Sequence, residues 1–559
     1  MADDTESFKV ICSGGLDSNE NHLELSENTP GAATRLVNYE PSLFGGYRRV
    51  NGYVEYDSTY PEVGDHTSVA NTAEGKILGV ALYRDDTTEL DITIAFRKDA
   101  GSNSYSAYKY VKYVGWVKYT FDHSITRPYT NSANISVHKI RYATFNFGDG
   151  NKIIFVDGVN PAMIFDGTEW NEITVAGTGH DTTTSTTSPG GNQALDAPAL
   201  VDVFENHIFL GGDRLYQATV AHSAPLAAHD FLVANGAGQL SVGFDVVQFK
   251  PFRDDLFIFG GNGIKKATAD TTAGFVIAPV TANVGCIARD SVLEIGGDLV
   301  FLAPDGIRPV AGTSRIGDVE LETISKPIQQ LLTYLPQDFD LDNLNGVVVR
   351  SKSQLRYFVG DDADNNAEDS YGIIGGLRSA DQQLGWEFGE LHGFRASCCT
   401  SGYIGRSEYI LHGDYDGKIY RQEMGNTLNG GDILAVYRTP YYDFGDTQIR
   451  KLMRAVHTFI RAEGPVTLNL AVGYDWRDDA VSTPTDYSAT FTGHPITYRG
   501  RSVTYGGAHV AYGGSSKPIM TTEIQGSGHS TQLTFVSYGD FFPYSIQGMV
   551  FEFSVSGRR

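Results

Sequence analysis

An acidic stretch, DDADNNAED, has spacing that could hold a calcium ion. Asp362, Asp364 and Asn366 stand at the first, third and fifth positions of a calcium loop. However, Ala367 stands where the sharp turn needs glycine, and Ile373 stands where the loop needs a bidentate glutamate. These two departures favour a solvated acidic loop over a metal site.

Motifs for other kinds of chemistry are incomplete. GGNGIKKAT (260–268) lacks the Gly-Lys-Ser/Thr order of a phosphate-binding loop, GTSRIG (312–317) does not match a serine-nucleophile elbow, and H-E-x-x-H does not occur. FDGTEW (165–170) partly resembles the Asp-box hairpin of sialidase propellers, which is a structural turn. We therefore predict that the protein is not an enzyme and has no catalytic, cofactor-binding or metal-binding residues. A glycosidase with two carboxylates across a cleft is the less favoured alternative.

A basic and aromatic stretch, FGGYRRVNGYVEY (44–56), stands out in an acidic chain. Arg48 and Arg49 are flanked by Tyr47 and Tyr53, and tyrosine and arginine are enriched in protein interfaces. Their carboxylate partners could come from an adjacent copy of the chain. We predict that this stretch contacts another chain, and the alternative is that the two arginines form a solvated turn.

The overall charge excludes some functions. A formal charge of -24 and a pI near 4.9 argue against a general nucleic-acid binder and against binding to an anionic membrane. The N-terminus is acidic where a secretory signal would be basic, and no apolar run is long enough to span a bilayer, so we expect folding in a cytosol. The four cysteines, Cys12, Cys286, Cys398 and Cys399, have no paired C-x-x-C spacing and are predicted to be buried thiols.

A repeated hairpin pattern predicts a β-propeller. Several segments consist of a short apolar run, a turn rich in Gly, Asp or Asn, and a second short run. Their first apolar residues lie 43 to 56 residues apart, at Ile153, Ile208, Leu256, Leu299, Leu355 and Tyr409, and an earlier pair of runs spans 75–99. Such spacing is close to that of four-stranded blades. We predict six or seven blades, with a stack of β-sandwiches as the alternative.

The segment SKPIQQLLTYLP (325–336) predicts one short helix inserted in the propeller. Ser325 is the expected N-cap and Pro336 the expected stop. One apolar stripe is formed by Ile328, Leu331, Leu332 and Leu335. The stripe packs either on a neighbouring blade or on another subunit.

The predicted organisation is mainly β and has three parts. Residues 1–70 form an N-terminal extended arm and a β-rich platform segment, 71–430 form the propeller, and 431–559 form a C-terminal β-sandwich-like domain. The C-terminal boundary is placed where the hairpin repeat ends and longer strand-like runs begin.

Three regions resemble the tail tubular (nozzle) proteins of short-tailed bacteriophages. They are the N-terminal run 14–53, with a G-x-R-R-x-x-G element from Gly46 to Gly52, the hairpin region 204–231, and the segment TPYYDFGDTQIRKLMRAVHTFI (439–460). The resemblance implies a structural virion protein that forms a homohexameric ring at the distal end of the tail. In this family such a ring binds an adaptor ring above and is surrounded by fibres or spikes.

The resemblance also implies partners and a location. Phage DNA would pass through the ring without sequence-specific binding, the host envelope is a potential contact, and the ring would be assembled in the host cytoplasm as part of the virion tail. The basic stretch at Arg48 and Arg49 would contact a neighbouring subunit or the adaptor, and a second such patch comprises Arg450, Lys451 and Arg454. Head-to-tail closure and receptor binding are the alternative virion roles.

Overall fold

The protein is mainly β, and its strands form a six-bladed β-propeller joined to two larger sheets. The structure is a computed structural model. It describes residues 5–42, 45–56, 75–86, 90–98, 105–111, 114–119, 137–173, 194–270, 274–310, 323–360, 370–380, 383–477, 486–491 and 519–556. The predicted fold class is confirmed.

The N-terminal segment supplies strands to three different sheets. Its elements are β1 (Thr5–Ile11), α1 (His22–Asn28), β2 (Arg35–Val37), β3 (Tyr39–Pro41), β4 (Tyr47–Arg49) and β5 (Tyr53–Glu55). Helix α1 begins where the Asn21 side chain accepts hydrogen bonds from the N–H groups of Leu23 and Glu24. The sequence analysis did not predict α1, because this helix buries only Leu25 and has no apolar stripe.

The propeller strands follow in chain order. The first four blades consist of β6 (Ile77–Asp85), β7 (Leu90–Lys98), β8 (Tyr105–Val111) and β9 (Gly115–Lys118); β10 (Arg141–Asn146), β11 (Asn151–Val156), β12 (Met163–Phe165) and β13 (Trp170–Glu172); β14 (Leu200–Phe204), β15 (His207–Gly211), β16 (Thr219–His222) and β17 (Gly238–Ser241); and β18 (Val246–Phe252), β19 (Asp255–Gly260), β20 (Ile264–Asp270) and β21 (Gly274–Thr281). The fifth blade consists of β22 (Leu293–Ile295), β23 (Asp298–Ala303) and β24 (Gly306–Pro309).

A helix and four longer strands precede the last blade. They are α2 (Gln329–Asp338), β25 (Asn345–Val349), β26 (Gln354–Val359), β27 (Tyr371–Ala380) and β28 (Gln383–His392). The last blade contains β29 (Cys398–Ile404), β30 (Ser407–Gly413) and β31 (Ile419–Gln422). Short 3₁₀ turns lie at Val233–Asn235, Arg289–Ser291, Lys326–Ile328, Leu341–Asn343, Arg350–Lys352 and Asp475–Arg477.

The predicted hairpins form paired strands in the propeller. The early pair at 75–99 forms β6 and β7, and the hairpin at 151–167 forms β11 and β12. The apolar run that begins at Leu355 lies in β26, which belongs to a larger sheet instead of a separate blade. Local turn chemistry therefore predicted the hairpins, because each depends on residues that are close in sequence.

The propeller is closed by a strand from the N-terminal segment. Strand β5 pairs with β31, so that Tyr53 lies opposite Gln422 and Glu55 lies opposite Tyr420. Strand β25 lies against β22 and β29, which places one end of a larger sheet between the fifth and the last blade. The two parts of the molecule are thus joined through both β5 and β25.

The C-terminal strands complete two large sheets. They are β32 (Ile433–Arg438), β33 (Arg450–Ala462), β34 (Val466–Tyr474), β35 (Tyr487–Phe491), β36 (Ile519–Glu523), β37 (Ser527–Gly528), β38 (Thr531–Gly539) and β39 (Tyr544–Ser556). The nine-stranded sheet has the order β25-β26-β27-β28-β2-β32-β38-β34-β35. The seven-stranded sheet has the order β3-β4-β39-β33-β36, with β1 paired to β39 and β37 paired to β33.

The two large sheets share one hydrophobic core, and we call this two-sheet body the platform. Val456 and Phe551 of the seven-stranded sheet and Tyr437 and Phe535 of the nine-stranded sheet are fully buried in the same cluster. Burying a side chain of this size contributes roughly 1.5 to 3 kcal/mol. Strands from both ends of the chain are therefore held in a single body.

Helix α2 differs from its prediction at both ends. The Ser325 side chain makes no capping bond to the helix, and its hydroxyl accepts the N–H of Ile307 instead. The α-helix extends to Asp338, with Pro336 inside it. Proline removes one backbone donor, and here that loss falls in the last turn of the helix.

The apolar stripe of this region packs on its own chain. Ile328, Leu332 and Leu335 are buried in the platform core beside Ile307 of β24, and Leu331 is partly buried against the same core. The structure therefore supports packing within the subunit and not a contact with another subunit for this stripe.

Candidate functional site

The basic stretch at 44–56 lies largely inside the platform. Tyr47 is fully buried, and its hydroxyl donates to the Gly31 carbonyl at 2.8 Å and accepts the Gly15 N–H at 3.0 Å. Tyr53 donates to the Gly393 carbonyl at 3.0 Å and packs among aromatic rings. This corrects the prediction for both tyrosines, since neither side chain is available to another chain.

Arg49 is also buried, and it binds backbone carbonyls instead of carboxylates. Its guanidinium donates to the carbonyl oxygens of Gly539 at 2.6 Å, Ile433 at 3.4 Å and Phe541. Burial lowers its pKa and outweighs the opposite effect of Tyr544, Tyr39, Asp432 and Asp540. Arg49 thus holds the turn before β39 to the N-terminal segment and does not reach an interface.

Arg48 has carboxylate partners, and they belong to the same chain. Its Nε and Nη2 atoms bind the two oxygens of Glu463 at 2.6 and 2.9 Å, and its Nη1 atom binds Glu40 at 2.8 Å. Bidentate pairing of this kind is the strongest that arginine makes. The prediction that an adjacent copy supplies these carboxylates is corrected, because Glu40 lies in β3 and Glu463 lies in the turn between β33 and β34 of the same chain.

A buried group of charges, which we call the Glu40 cluster, joins the platform to the propeller. It comprises Glu40, Arg48, Lys352, Arg356 and Glu423. Lys352 Nζ lies 2.7 Å from Glu40 and 2.6 Å from Glu423, and Arg356 Nη2 pairs with both carboxylates. Burial by itself would raise the pKa of each glutamate, but the surrounding cations lower it.

We expect the Glu40 cluster to make the folded protein less stable as the pH falls into the acid range. The pKa of Glu423 is lower in the folded chain than its usual value of about 4.5, so its stabilising effect is complete above about pH 4.5 and is lost as the pH falls through the folded pKa. We expect the urea midpoint of the wild type to fall between about pH 5 and pH 3, and that of Glu423→Gln to fall less steeply. Parallel pH profiles for the two proteins would contradict this role.

The residues of the second predicted basic patch lie on opposite sides of strand β33. Along β33, Arg450 and Arg454 are exposed on the outer side, while Lys451 is buried and donates to the carbonyls of Asp443, Asp446 and His529. Between the two arginines, Leu452 is 44% exposed. We call Arg450, Leu452 and Arg454 the β33 face. The prediction for Lys451 is corrected, because alternate residues of a strand point to opposite sides.

The propeller channel carries a second concentration of charge. Asp290 Oδ2 lies 2.7 Å from Lys139 Nζ, and Arg141 binds both carboxylate oxygens of Asp290, at 2.7 and 2.8 Å. One cavity of about 460 Å³ is lined by residues around the second to fifth blades, and another of about 190 Å³ is lined by residues of all six blades. Although burial would raise the pKa of Asp290, the two cations lower it well below its usual value, so this carboxylate stays ionised.

Two carboxylates of the channel, Asp290 and Asp157, do not resemble a glycosidase acid. Asp290 cannot donate a proton near neutral pH, and Asp157 accepts hydrogen bonds from Val159, Asn160 and Tyr105 that fix a turn. Burial raises the pKa of Asp414 to about 6, but this carboxylate accepts the N–H groups of Asp416 and Lys418 in the turn between β30 and β31.

The remaining sequence motifs have structural roles or lie outside the described residues. The calcium-like stretch 361–369 and the segment 312–317 are outside them. In FDGTEW, Asp166 accepts the N–H groups of Thr168 and Glu169, which confirms a turn.

Three cysteines are buried and Cys399 is partly buried; burial raises the pKa of Cys12 to about 12. No metal-binding group and no helix able to span a bilayer occurs among the described residues.

Sequence reasoning missed both charge groups. Lys139 and Asp290 are 151 positions apart, and Arg356 and Glu40 are 316 positions apart. A spacing rule cannot detect such pairs, because the partners lie in segments of the chain that only the tertiary fold brings together. The only signal was the presence of charged residues within otherwise apolar strands, such as Arg356 in QLRYFV.

Comparisons with known proteins reveal only distant similarity. No family model and no curated protein matches the chain. Among solved structures, an ancestral GH74 enzyme aligns at 11% identity and a TM-score of 0.36, over 70% of this chain and 50% of its own. The chain thus spans half the length of that enzyme.

Two other solved structures align still less closely. A family 43 arabinoxylan arabinofuranohydrolase from Bacillus subtilis aligns at 11% identity and a TM-score of 0.25, over 89% of this chain and 97% of its own. Kluyveromyces lactis Hsv2 aligns at 11% identity and a TM-score of 0.27, over 57% of this chain and 98% of its own. These alignments carry no argument about function.

Proposed function

We propose that this protein is a structural component of a bacteriophage tail that assembles into the distal nozzle ring. The β33 face carries the proposal, because it presents two outward arginines around an exposed leucine on a chain of formal charge -24. Arginine and apolar side chains at the centre of a patch are typical of protein interfaces. An acidic surface of a second copy is a suitable partner for this face.

A ring requires a head-to-tail interface between two different surfaces of the same subunit. The chain has 67 acidic residues against 43 basic ones, so a basic patch has abundant acidic surface to meet on a neighbouring copy. The hexameric number, the adaptor ring and the fibres or spikes rest on the family resemblance alone. Assembly in the host cytoplasm belongs to the same proposal.

The cavities found in the propeller channel bear on the path of DNA. With volumes of about 460 and 190 Å³, they are far too small to hold a duplex. DNA would therefore pass through a lumen between copies. A net acidic wall would repel the phosphates, which carry about one charge per 1.7 Å of duplex axis, and would let DNA slide without sequence-specific contacts.

The two-sheet platform suits such a mechanical role. Strand β1 pairs with β39, and β2 lies between β28 and β32, so both ends of the chain are fixed in the same body. Head closure and receptor binding are alternatives in the same virion class. About six copies per particle, counted by quantitative mass spectrometry of virions, would favour the nozzle over either.

We expect the double substitution Arg450→Glu and Arg454→Glu to abolish ring formation. Reversing both charges replaces attraction to an acidic neighbour with repulsion, which costs several kcal/mol per interface. Mass by light scattering and negative-stain images, with and without the neighbouring tail protein, provide the measurement. Arg253→Glu with Arg406→Glu is the matched control, because both residues are exposed on propeller turns. Rings of unchanged mass in the first variant would refute the role of the β33 face.

A persistent monomer of the wild type under both conditions would instead refute the nozzle itself. Hydrolysis of host surface polysaccharide would then be the next activity to assay.

A further inference from the structure

We infer that the larger cavity of the propeller channel is a binding site for a small oxyanion, with Arg289 as its principal contact. The cavity there has a volume of about 460 Å³, which is within the range of small-molecule sites. Arg289 lines this cavity in the 3₁₀ turn before β22. The inference does not depend on the proposed tail function.

The neighbouring cations already have acceptors. Lys139 donates to Asp290 at 2.7 Å and to the Leu344 carbonyl at 2.9 Å. Arg141 binds Asp290 through two atoms and reaches the Ala199 carbonyl at 3.3 Å. Both carboxylate oxygens of Asp290 therefore accept hydrogen bonds from Lys139 or Arg141, and Asp290 does not pair with Arg289.

The carboxylates that line the cavity are also not paired with Arg289. Asp157 is occupied by the N–H groups of its own turn, and Asp245 and Asp342 are exposed at the rim. Throughout the described residues, no acceptor lies within hydrogen-bonding distance of the Arg289 guanidinium. Burial and the charge of Arg141 lower the pKa of Arg289, while Asp342 and Asp290 act in the opposite sense.

This arrangement leaves a partly buried guanidinium, on a residue that lines the cavity, without a hydrogen-bonded acceptor among the described residues. A guanidinium binds a phosphate or carboxylate through two parallel hydrogen bonds, which matches the unused donors. A bound oxyanion would also offset the repulsion between Arg289 and Arg141. The cavity is therefore suited to a solute that carries one phosphate or carboxylate group, with the rest of the molecule directed toward the rim.

Titration calorimetry with sodium phosphate and with sodium acetate, at constant ionic strength set by sodium chloride, tests the site. We expect the wild type to bind at least one of these anions and Arg289→Gln to bind it about tenfold or more weakly, since hydrogen bonds to a charged group are lost. Phosphate binding alone would assign a phosphate-bearing solute, and acetate binding alone would assign a carboxylate. Arg253→Gln is the control for a general loss of positive charge.

Two results would overturn the inference. One is that neither anion binds the wild type at tens of millimolar, and the other is that Arg289→Gln binds as tightly as the wild type. Misfolding is a minor concern, because Arg289 makes no side-chain hydrogen bond among the described residues, and an unchanged circular dichroism melting curve would establish that the variant is folded. Arg289→Lys should restore part of the affinity, because it restores the charge without the two-point geometry.

Discussion

Replacing Arg49 with methionine is expected to destabilise the protein by about 3 to 5 kcal/mol. The guanidinium is fully buried and holds the carbonyls of Ile433, Gly539 and Phe541. Methionine fills much of the same space but donates no hydrogen bonds, so these buried acceptors lose their partner. The turn between β38 and β39 would then lose its link to the N-terminal segment.

The urea midpoint, followed by circular dichroism, measures this effect. Arg49→Lys should lie between the wild type and Arg49→Met, because a single ammonium can satisfy only part of the carbonyl set. Arg406→Met removes an exposed arginine and should change stability by less than about 0.5 kcal/mol. An Arg49→Met protein within about 1 kcal/mol of the wild type would show that this turn is held by other contacts.

Replacing Arg356 with methionine is expected to have a similar effect for an electrostatic reason. The Arg356 side chain is 1% exposed and pairs with Glu40 and Glu423, which are themselves largely buried. Removing one partner of a buried ion pair leaves an uncompensated charge, and this typically costs about 3 to 5 kcal/mol. The wild-type pKa values of both glutamates are lowered, so we also expect Arg356→Met to raise them.

A double-mutant cycle separates this effect from a simple loss of packing. Glu423→Gln removes the carboxylate that Arg356 contacts, so adding it to Arg356→Met should cost less than the sum of the two single changes. We expect a coupling energy of about 1 to 3 kcal/mol from urea midpoints, since the residues are in direct contact. Strictly additive effects would show that Arg356 and Glu423 do not act as a pair.

The two substitutions affect different connections in the molecule. Arg49 joins the N-terminal segment to the C-terminal strands within the platform. The Glu40 cluster joins β3 of the seven-stranded sheet, β26 of the nine-stranded sheet and the residue after β31 of the last blade. A weaker Glu40 cluster should therefore loosen the propeller from the platform, and hydrogen exchange in β5 and β31 would report such loosening.

The sequence by itself determined the fold class and the positions of the hairpins. A hairpin depends on a turn of a few residues and two short runs beside it, as in the 253–268 segment that forms β19 and β20. The apolar stripe of α2 could also be predicted from the sequence, because residues three and four apart share a face of a helix. All of these signals are local in the chain.

Only the tertiary structure decided which residues the basic segments contact. Arg49 and Phe541 are 492 positions apart, and Arg48 and Glu463 are 415 positions apart, so no spacing rule could pair them. The same reason explains why β5 closes the last blade, why Lys451 is buried beside exposed arginines, and why Arg289 has no hydrogen-bonded acceptor among the described residues. Charged residues can be counted from the sequence, but their partners are decided by which strands the folded sheets bring together.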